Sequence, residues 1–199
     1  IIFSSYYNSF LKHNERIRVV TSRAGNVIGG GDWAKDRIVS DCMKAWSQGI
    51  PVNVRSPKAT RPWQHVLEPL SGYLRLAQVL SQTSSLTGSS FNFGPRSQNN
   101  HTVSELLNDL SQYWNLSHDS YRVLEEVPFH EAGLLKLNCD KALFHLGWEA
   151  TMGYEDTIKF TSSWYNSYYQ GSTDMLDFTS NQIIEYEKKS KKRGYKWSK

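Results

Sequence analysis

Short apolar runs alternate along the chain with longer stretches in which apolar residues recur at helical spacing. Residues 1 to 13 show this helical spacing without a capping residue ahead of them, so we expect the chain to begin inside a helix. Residues 16 to 23 form a short β-branched run that ends at Gly25 and indicates a strand. A helix followed by a strand is half of an α/β unit, so the pattern predicts an α/β protein.

Helical periodicity also predicts helices at residues 36 to 48, 68 to 81, 102 to 114, 140 to 146 and 154 to 169. Asp36 is expected to begin the first of these, and Gly49 to end it. Thr102 and Glu105 have the spacing of a capping box. The helix at 68 to 81 carries Leu70, Leu74, Ala77 and Leu80 on one face, which is typical of a helix that packs on a core.

Short strands are predicted at residues 52 to 55, 63 to 66, 91 to 93 and 121 to 126. Residues 25 to 32 contain four glycines and are expected to form a loop, because glycine weakens helices and strands alike. Such a loop lets a ligand approach the backbone closely. It differs from a Gly-x-Gly-x-x-Gly dinucleotide motif, since Asp32-Trp33 follows the glycines where a helix would begin.

Charge is unevenly placed along the chain. The formal net charge is +4, but it falls to −3 without the seven basic residues of the last twelve positions, which are Lys188, Lys189, Lys191, Lys192, Arg193, Lys196 and Lys199. We expect a solvated, frayed basic tail, with contact to nucleic acid the less favoured alternative.

No apolar segment long enough to cross a membrane and no signal-peptide pattern are found, which favours a soluble, cytoplasmic protein. Cys42 and Cys139 are far apart and have no neighbouring cluster of histidine or cysteine. Neither a disulfide framework nor a metal site is predicted, and two buried reduced thiols are expected.

Two long motifs carry a resemblance to a known family. The first is Arg-Ala-Gly-Asn-Val-Ile-Gly-Gly-Gly-Asp-Trp at residues 23 to 33, and the second is Arg-Pro-Trp-Gln-His-Val-Leu-Glu-Pro-Leu at residues 61 to 70. Phe-Asn-Phe-Gly-Pro at 91 to 95, His-Glu-Ala at 130 to 132 and Leu-Gly-Trp at 146 to 148 follow in the family's order. Over residues 1 to 170 the chain resembles the CDP-glucose 4,6-dehydratases, within the extended short-chain dehydrogenase/reductase superfamily.

The resemblance implies an α/β fold, namely the C-terminal part of a Rossmann-like extended short-chain dehydrogenase/reductase with a small α+β substrate-binding domain. Residues 1 to 25 would end the NAD-binding Rossmann domain. Residues 26 to 170 would form the substrate-binding domain, interleaved with elements that return to the Rossmann sheet. Residues 171 to 199 would form a C-terminal helical, basic tail.

The resemblance places Asn26 at the substrate's pyrophosphate or the adjacent sugar, and the backbone of Ala24 and Gly25 towards the nicotinamide of NAD. Arg61 would bind the diphosphate through its planar guanidinium fork, a role that we favour over a surface arginine held by the next proline. Arg37, at the beginning of a helix, would help to hold phosphate or base, and a surface ion pair is almost as good an interpretation.

The remaining implied contacts concern the base and the ribose. Val52 to Val54 would line the cytosine pocket mainly through an edge backbone, with core packing an equal alternative for the side chains of Val52 and Val54. His130 and Glu131 would lie near the ribose, where Glu131 could accept hydrogen bonds from its hydroxyls. His65 is expected to be a half-buried structural histidine.

The family converts CDP-glucose to a 4-keto-6-deoxy sugar with NAD as an internal redox cofactor, in deoxysugar synthesis for a surface polysaccharide such as the lipopolysaccharide O-antigen. We expect three of its parts to be missing: the glycine-rich NAD motif, a Thr-Asp-Lys-like loop and Tyr-x-x-x-Lys. No catalytic residue is therefore assigned, and the chain is expected to be an inactive fragment by itself. A partner that supplies the N-terminal part, and a homodimer of the whole enzyme, are also expected.

Two alternatives stay open. The chain could be a non-catalytic module that binds a nucleotide sugar, or part of a related epimerase or dehydratase with another base specificity.

Overall fold

The computed structural model describes residues 1–96, 100–114, 116, 119–124, 136–171 and 174–198. Within these residues the α-helices are α1 (Ile2–Tyr6), α2 (Ile38–Ser47), α3 (Leu67–Gln82), α4 (Val103–Ser111), α5 (Asp140–Leu146), α6 (Tyr154–Gln170) and α7 (Met175–Lys192). A π-helical turn, Tyr7–Leu11, continues α1, and a 3₁₀ turn, Lys196–Ser198, follows α7.

The described strands are β1 (Thr21–Ala24), β2 (Asn26–Ile28), β3 (Val52–Val54), β4 (Thr60–Arg61), β5 (Trp63–His65), β6 (Ser90–Phe93), β7 (His101–Thr102) and β8 (Tyr121–Val123). They pair in parallel as β1 with β6, β2 with β5 and β3 with β8, and antiparallel as β4 with β7. Parallel pairs need crossover connections: α2 lies in the connection from β2 to β5, and both α2 and α3 lie in the connection from β1 to β6. The mixture of helices and parallel strands confirms the α/β prediction.

The glycine-rich segment contains a strand where a loop was predicted. Asn26–Ile28 pairs with Trp63–His65, and the register joins Asn26 to Trp63. The prediction failed because the partner strand is more than thirty residues away, and its backbone supplies the ladder that local glycine content argues against. The strand predicted at 16 to 23 is also shorter, at Thr21–Ala24.

Helix α2 begins at Ile38, two residues after the predicted start at Asp36. Arg37 occupies the N-cap position, and Asp36 has a φ of 62°, so Asp36 does not cap the helix as predicted. Gly49, with a φ of 70°, follows the end of α2 in the left-handed conformation expected of a C-terminal glycine. Arg37 therefore lies where a helix N-terminus offers its free N–H groups.

The predicted apolar face of α3 is largely exposed. Leu70 and Leu74 are 46% and 74% exposed, whereas Glu68, Gly72 and Leu76 are buried. The buried face of α3 packs against β6, where an added Cβ at Gly72 would come within 2.3 Å of the Phe93 ring. The spacing of apolar residues predicted the helix correctly, but it did not predict which face of the helix packs on the described core.

Two apolar clusters form most of the core. One surrounds α2, β3 and α4 and contains Met43, Trp46 and Leu107. The other surrounds β6 and α5 and contains Phe91 and Trp148.

Helix α7, within the C-terminal segment that was expected to be a frayed tail, is packed on the rest of the chain. Tyr186 of α7 is buried with Met152 and Phe160, and Trp197 packs against them. Asp174 caps α7 by accepting hydrogen bonds from the N–H groups of Leu176 and Asp177. The prediction of a frayed tail is wrong for the part of α7 that carries these contacts, because charge composition does not reveal a buried tyrosine among lysines.

The described helices include none with the length and apolar character that crossing a bilayer requires.

Candidate functional site

A cleft of about 920 Å³ lies beside β2, β3 and β4. Its wall includes five residues that the family resemblance assigns to ligand binding, namely Gly25, Asn26, Arg37, Val54 and Arg61. They come from three different strands, the single residue that joins β1 to β2, and the N-cap of a helix. The fold therefore brings together most of the residues that the sequence analysis assigned to one site.

The other predicted residues lie elsewhere. The side chain of Val52 packs in the core around α2, which is the alternative left open for it, and Ala24 ends β1 without forming part of the cleft wall. His130 and Glu131 lie outside the described residues. Their proposed contacts to ribose stay predictions.

Arg61 lies on β4, and the antiparallel register places it opposite His101 of β7. Its Nη1 donates to the carbonyl oxygen of Thr60 at 2.9 Å. The His101 ring stacks on Tyr154 with 3.5 Å between ring centroids, and the Tyr154 phenol donates to Asp109 at 2.9 Å. The partner strand of β4 is thus fixed by the stack of His101 on Tyr154, and Tyr154 is in turn hydrogen-bonded to Asp109 of α4.

Arg37 forms an ion pair with Asp32, with 2.9 Å between Nη1 and Oδ2. The arginine side chain is 65% exposed and the aspartate side chain 32%. An ion pair this exposed contributes little to stability, because water screens it and two side chains lose freedom. Because Arg37 lies on the cleft wall, the ion pair matters more for the orientation of its guanidinium than for stability.

Charges of both signs line the cleft in equal number: three arginines face three aspartates, and these are Arg37, Arg55, Arg61, Asp32, Asp36 and Asp41. Burial raises the pKa of Asp41, the Lys44 ammonium opposes that rise, and the carboxylates of Asp36 and Asp32 add to it. Because the formal charges balance, an anion in this cleft would be held by hydrogen bonds from particular guanidinium groups and not by an excess of positive charge.

Gly29 of the triple glycine lines the cleft, whereas Gly30 and Gly31 do not. A Cβ at Gly30 would lie 2.0 Å from the Trp164 ring, and one at Gly29 would lie 2.8 Å from the Val66 side chain. Gly31 has a φ of 79°, which L-residues rarely adopt. The prediction that this loop admits a ligand to its backbone fails at Gly30, because the indole of Trp164 fills that space.

Within the predicted range Val52 to Val54, Asn53 is the residue whose backbone is available to a ligand. Val52 N–H donates to Ser120 and the Val54 carbonyl accepts from Leu124, so both valines direct their backbone groups towards β8. Successive residues of a strand direct theirs to opposite edges, so the backbone of Asn53 faces away from β8. Asn53 is exposed and lines the cleft, and both its backbone and its side-chain amide can form hydrogen bonds with a ligand.

Two ring systems near the cleft are unsuited to proton transfer at neutral pH. Burial lowers the pKa of His65 to about 4, and its Nδ1 accepts from the Leu67 N–H at 3.4 Å. His65 is fully buried, not half-buried as predicted. Burial also raises the pKa of Tyr165, whose phenol is engaged with the backbone of Asp32.

One expectation about missing motifs is wrong as stated. Tyr195 and Lys199 have the Tyr-x-x-x-Lys spacing. Tyr195 donates to Glu149 at 3.0 Å and accepts from Arg96 at 2.9 Å. None of these three residues lines the cleft. Lys199 lies outside the described residues. The described residues also contain no cluster of three or more histidines, cysteines or carboxylates that could hold a metal ion.

Comparisons with known proteins add an independent line of observation. The chain matches none of the family models against which it was compared. It is 37% identical over 190 residues to CDP-glucose 4,6-dehydratase of Salmonella typhimurium, a match that covers 94% of this chain and 52% of that protein. The chain thus spans about half the length of the curated relative it matches.

Solved structures show a similar fold. UDP-glucuronic acid 4-epimerase of Bacillus cereus, in complex with UDP-glucuronic acid and NAD, has a TM-score of 0.69 at 16% identity, covering 84% of this chain and 50% of its own. dTDP-glucose 4,6-dehydratase of Bacillus anthracis, in complex with NAD, has a TM-score of 0.65 at 18% identity, covering 83% and 49%. In sequence the chain is similar to the C-terminal part of CDP-glucose 4,6-dehydratase, and its α/β fold is that of the corresponding part of the Rossmann-like extended short-chain dehydrogenases/reductases.

Proposed function

We propose that this chain provides the nucleotide-sugar-binding part of a CDP-glucose 4,6-dehydratase. The observation that carries the proposal is the shared cleft of Asn26, Arg37 and Arg61, three polar residues from separate elements. The sequence similarity to a curated protein of that name supports the choice of substrate. The parent reaction would convert CDP-glucose to CDP-4-keto-6-deoxyglucose.

In this proposal the diphosphate lies at the arginine side of the cleft. Arg61 and Arg37 each offer a planar group of donors that matches phosphate oxygens, and the guanidinium stays charged at any physiological pH. Asn26, at the beginning of β2, can donate to a phosphate oxygen and accept from a sugar hydroxyl with the same amide. These three side chains would bind and orient the substrate without taking part in bond breaking.

The base would lie along β3. Asn53 has a backbone edge that faces away from β8 and an exposed amide, so it can satisfy the donors and acceptors of a cytosine ring. Val54 would supply an apolar contact. This assignment narrows the expected range of Val52 to Val54 to Asn53 for the backbone contacts, because the valines direct their polar groups to β8.

NAD, when bound, supplies hydride acceptance and return in the proposed reaction. The family resemblance places the nicotinamide end of that cofactor at the backbone of Ala24 and Gly25, of which Ala24 does not line the cleft. Gly25 lines the cleft and lies against Pro62, where a Cβ would come within 3.1 Å. The triple glycine does not provide a diphosphate cradle. The side chains of Val66 and Trp164 lie close against the backbone of Gly29 and Gly30, and α2 begins only at Ile38.

Calorimetric titration of the purified chain with CDP-glucose, UDP-glucose, dTDP-glucose and GDP-glucose tests the proposal. We expect selective binding of CDP-glucose and a loss of affinity in Arg61→Ala. Arg16→Ala is the matched control, because Arg16 is exposed and lies outside the cleft. Preference for UDP-glucose would favour a related enzyme of another base specificity, and absence of binding by a folded chain would overturn the proposal.

Turnover is tested separately. We expect no 4-keto-6-deoxy product from this chain with NAD alone, since the described cleft holds no tyrosine and lysine pair for proton transfer. Activity would be expected only with a partner that supplies the N-terminal part of the enzyme. Product formed by the isolated chain, shown by mass spectrometry, would contradict this.

A further inference from the structure

The phenol of Tyr165 binds both main-chain polar groups of Asp32. It donates to the Asp32 carbonyl at 2.7 Å and accepts from the Asp32 N–H at 3.1 Å. Tyr165 is fully buried in α6, and the two residues are 133 positions apart. One hydroxyl thus replaces the strand or helix partner that the backbone of Asp32 otherwise lacks.

The side chain of Asp32 is held as firmly as its backbone. Its Oδ1 accepts from the Ala34 N–H at 3.0 Å, and its Oδ2 forms the ion pair with Arg37 at 2.9 Å. With two backbone bonds and one side-chain bond fixing Asp32, the direction in which its carboxylate points is set. The guanidinium of Arg37 is consequently held on the wall of the cleft.

The support for Tyr165 continues into the C-terminal helix. Trp164 lies edge-on to Tyr165 with 5.3 Å between centroids, and its Nε1 donates to Thr179 of α7 at 2.9 Å. Trp33, which follows Asp32, also lies edge-on to Tyr165, at 5.3 Å. The Tyr165 ring is thus placed by Trp164, which α7 holds, and by Trp33 of the loop to which the phenol is hydrogen-bonded.

We propose that Tyr165 is a positioning residue that acts through Asp32 to orient Arg37 towards the diphosphate of the ligand. This inference rests on the proposed function and extends it from the cleft wall to α6. Tyr165 also lines the cleft, so a direct contact with ligand is the competing explanation. The two explanations differ in whether the effect of Tyr165 requires Arg37.

The test is a double-mutant cycle on CDP-glucose binding, with Tyr165→Phe, Arg37→Ala and the combined variant. Phenylalanine keeps the ring contacts and removes only the hydroxyl. We expect Tyr165→Phe to weaken binding about tenfold in the wild-type background, and to cause no further loss when Arg37 is already alanine. Tyr168→Phe is the matched control, since Tyr168 is in the same helix and is 45% exposed.

Hydrogen–deuterium exchange supplies a readout that does not depend on ligand. Loss of the phenol should raise exchange at the Asp32 amide and its neighbours to residue 37, with exchange in α4 unchanged. Increased exchange throughout the chain would mean a general structural role and would overturn the proposal. Equal loss of affinity in both backgrounds would also overturn it, because Tyr165 would then contact the ligand directly.

Asp32→Asn provides a second route if Tyr165→Phe does not fold. The amide keeps an oxygen for the Ala34 N–H and loses the charge that holds Arg37. We expect weaker binding of CDP-glucose, again without further loss in the Arg37→Ala background. If Asp32→Asn bound CDP-glucose as the wild-type chain does while Arg37→Ala bound it weakly, the proposal that Asp32 orients Arg37 would be overturned. Absence of binding by the wild-type chain would instead overturn the proposed function itself.

Discussion

The carboxylate of Glu68 in α3 accepts a hydrogen bond from the phenol of Tyr186 in α7, with 3.1 Å between the oxygens. The backbone N–H groups of Thr151 and Met152 donate to the same carboxylate at 2.9 and 2.6 Å. Glu68 is almost wholly buried, and burial raises its pKa to about 7 although the three donors act to lower it. The Glu68 carboxyl, which joins α3 to α7 through Tyr186, therefore changes its charge near neutral pH.

The pH dependence of stability follows from that raised pKa. The folded chain binds the Glu68 proton more tightly than the unfolded chain, whose carboxyl titrates near 4.5, so protonation favours the fold. We expect this contribution to be fully present below about pH 4.5 and lost as pH rises through about 7, by about 3 kcal/mol in total. Urea unfolding across that range measures it.

Glu68→Gln should remove this part of the pH dependence, since an amide does not titrate in this range. Glu155→Gln, at an exposed position in the first turn of α6, should keep it. A Glu68→Gln variant whose unfolding free energy follows the wild-type pH profile would show that another group is responsible.

Tyr186→Phe removes one donor to the carboxylate and leaves the ring in place. We expect a loss of about 1–2 kcal/mol in unfolding free energy above pH 7, where Glu68 is ionised, and a smaller loss at lower pH. Denaturation at two pH values is sufficient to measure the difference. Tyr169→Phe, at a partly exposed position in α6, is the control, and equal losses at both pH values would argue against an ionised partner.

Gly30→Ala tests the packing of the glycine segment. The added Cβ would overlap the Trp164 ring, and we expect a loss of about 1–3 kcal/mol in unfolding free energy. Gly153→Ala is the control, because a Cβ there meets no atom within 4 Å. Combining Gly30→Ala with Trp164→Phe should cost less than the sum of the two single changes, and strict additivity would contradict the overlap.

The two thiols should differ in reactivity. Cys42 is fully buried and burial raises its pKa strongly, whereas Cys139 is partly buried and its pKa is raised less. We expect a maleimide to modify Cys139 slowly in the folded chain and Cys42 only after unfolding, as followed by mass spectrometry. Modification of Cys42 at the rate of Cys139 under native conditions would be inconsistent with the packing around α2.

Local signals predicted local structure well. The capping box of Thr102 and Glu105 is present, with both reciprocal hydrogen bonds, and α5 ends at Gly147 in the left-handed conformation. Each of these features is determined by residues within a few positions of one another. Arg61, Arg37 and Asn26 were assigned to one site through family resemblance, and the fold does bring them to one cleft.

Features that depend on distant partners were missed. Strand β2 requires the backbone of β5, and Tyr165 holds Asp32 from the other end of the chain. The burial of Tyr186 depends on Glu68 and Ser71, more than a hundred residues away. No periodicity or composition near Asp32 or Tyr186 carries that information, because the contact is determined by how helices pack.

The contact between Gly30 and Trp164 also constrains the order in which these positions can change during evolution. A side chain added at position 30 destabilises the chain while the indole occupies its space, but the indole can first be replaced by a smaller ring. Substitution at position 164 is therefore permissive for substitution at position 30, and the reverse order passes through a destabilised intermediate. The two positions should drift as a pair although 134 residues of sequence separate them.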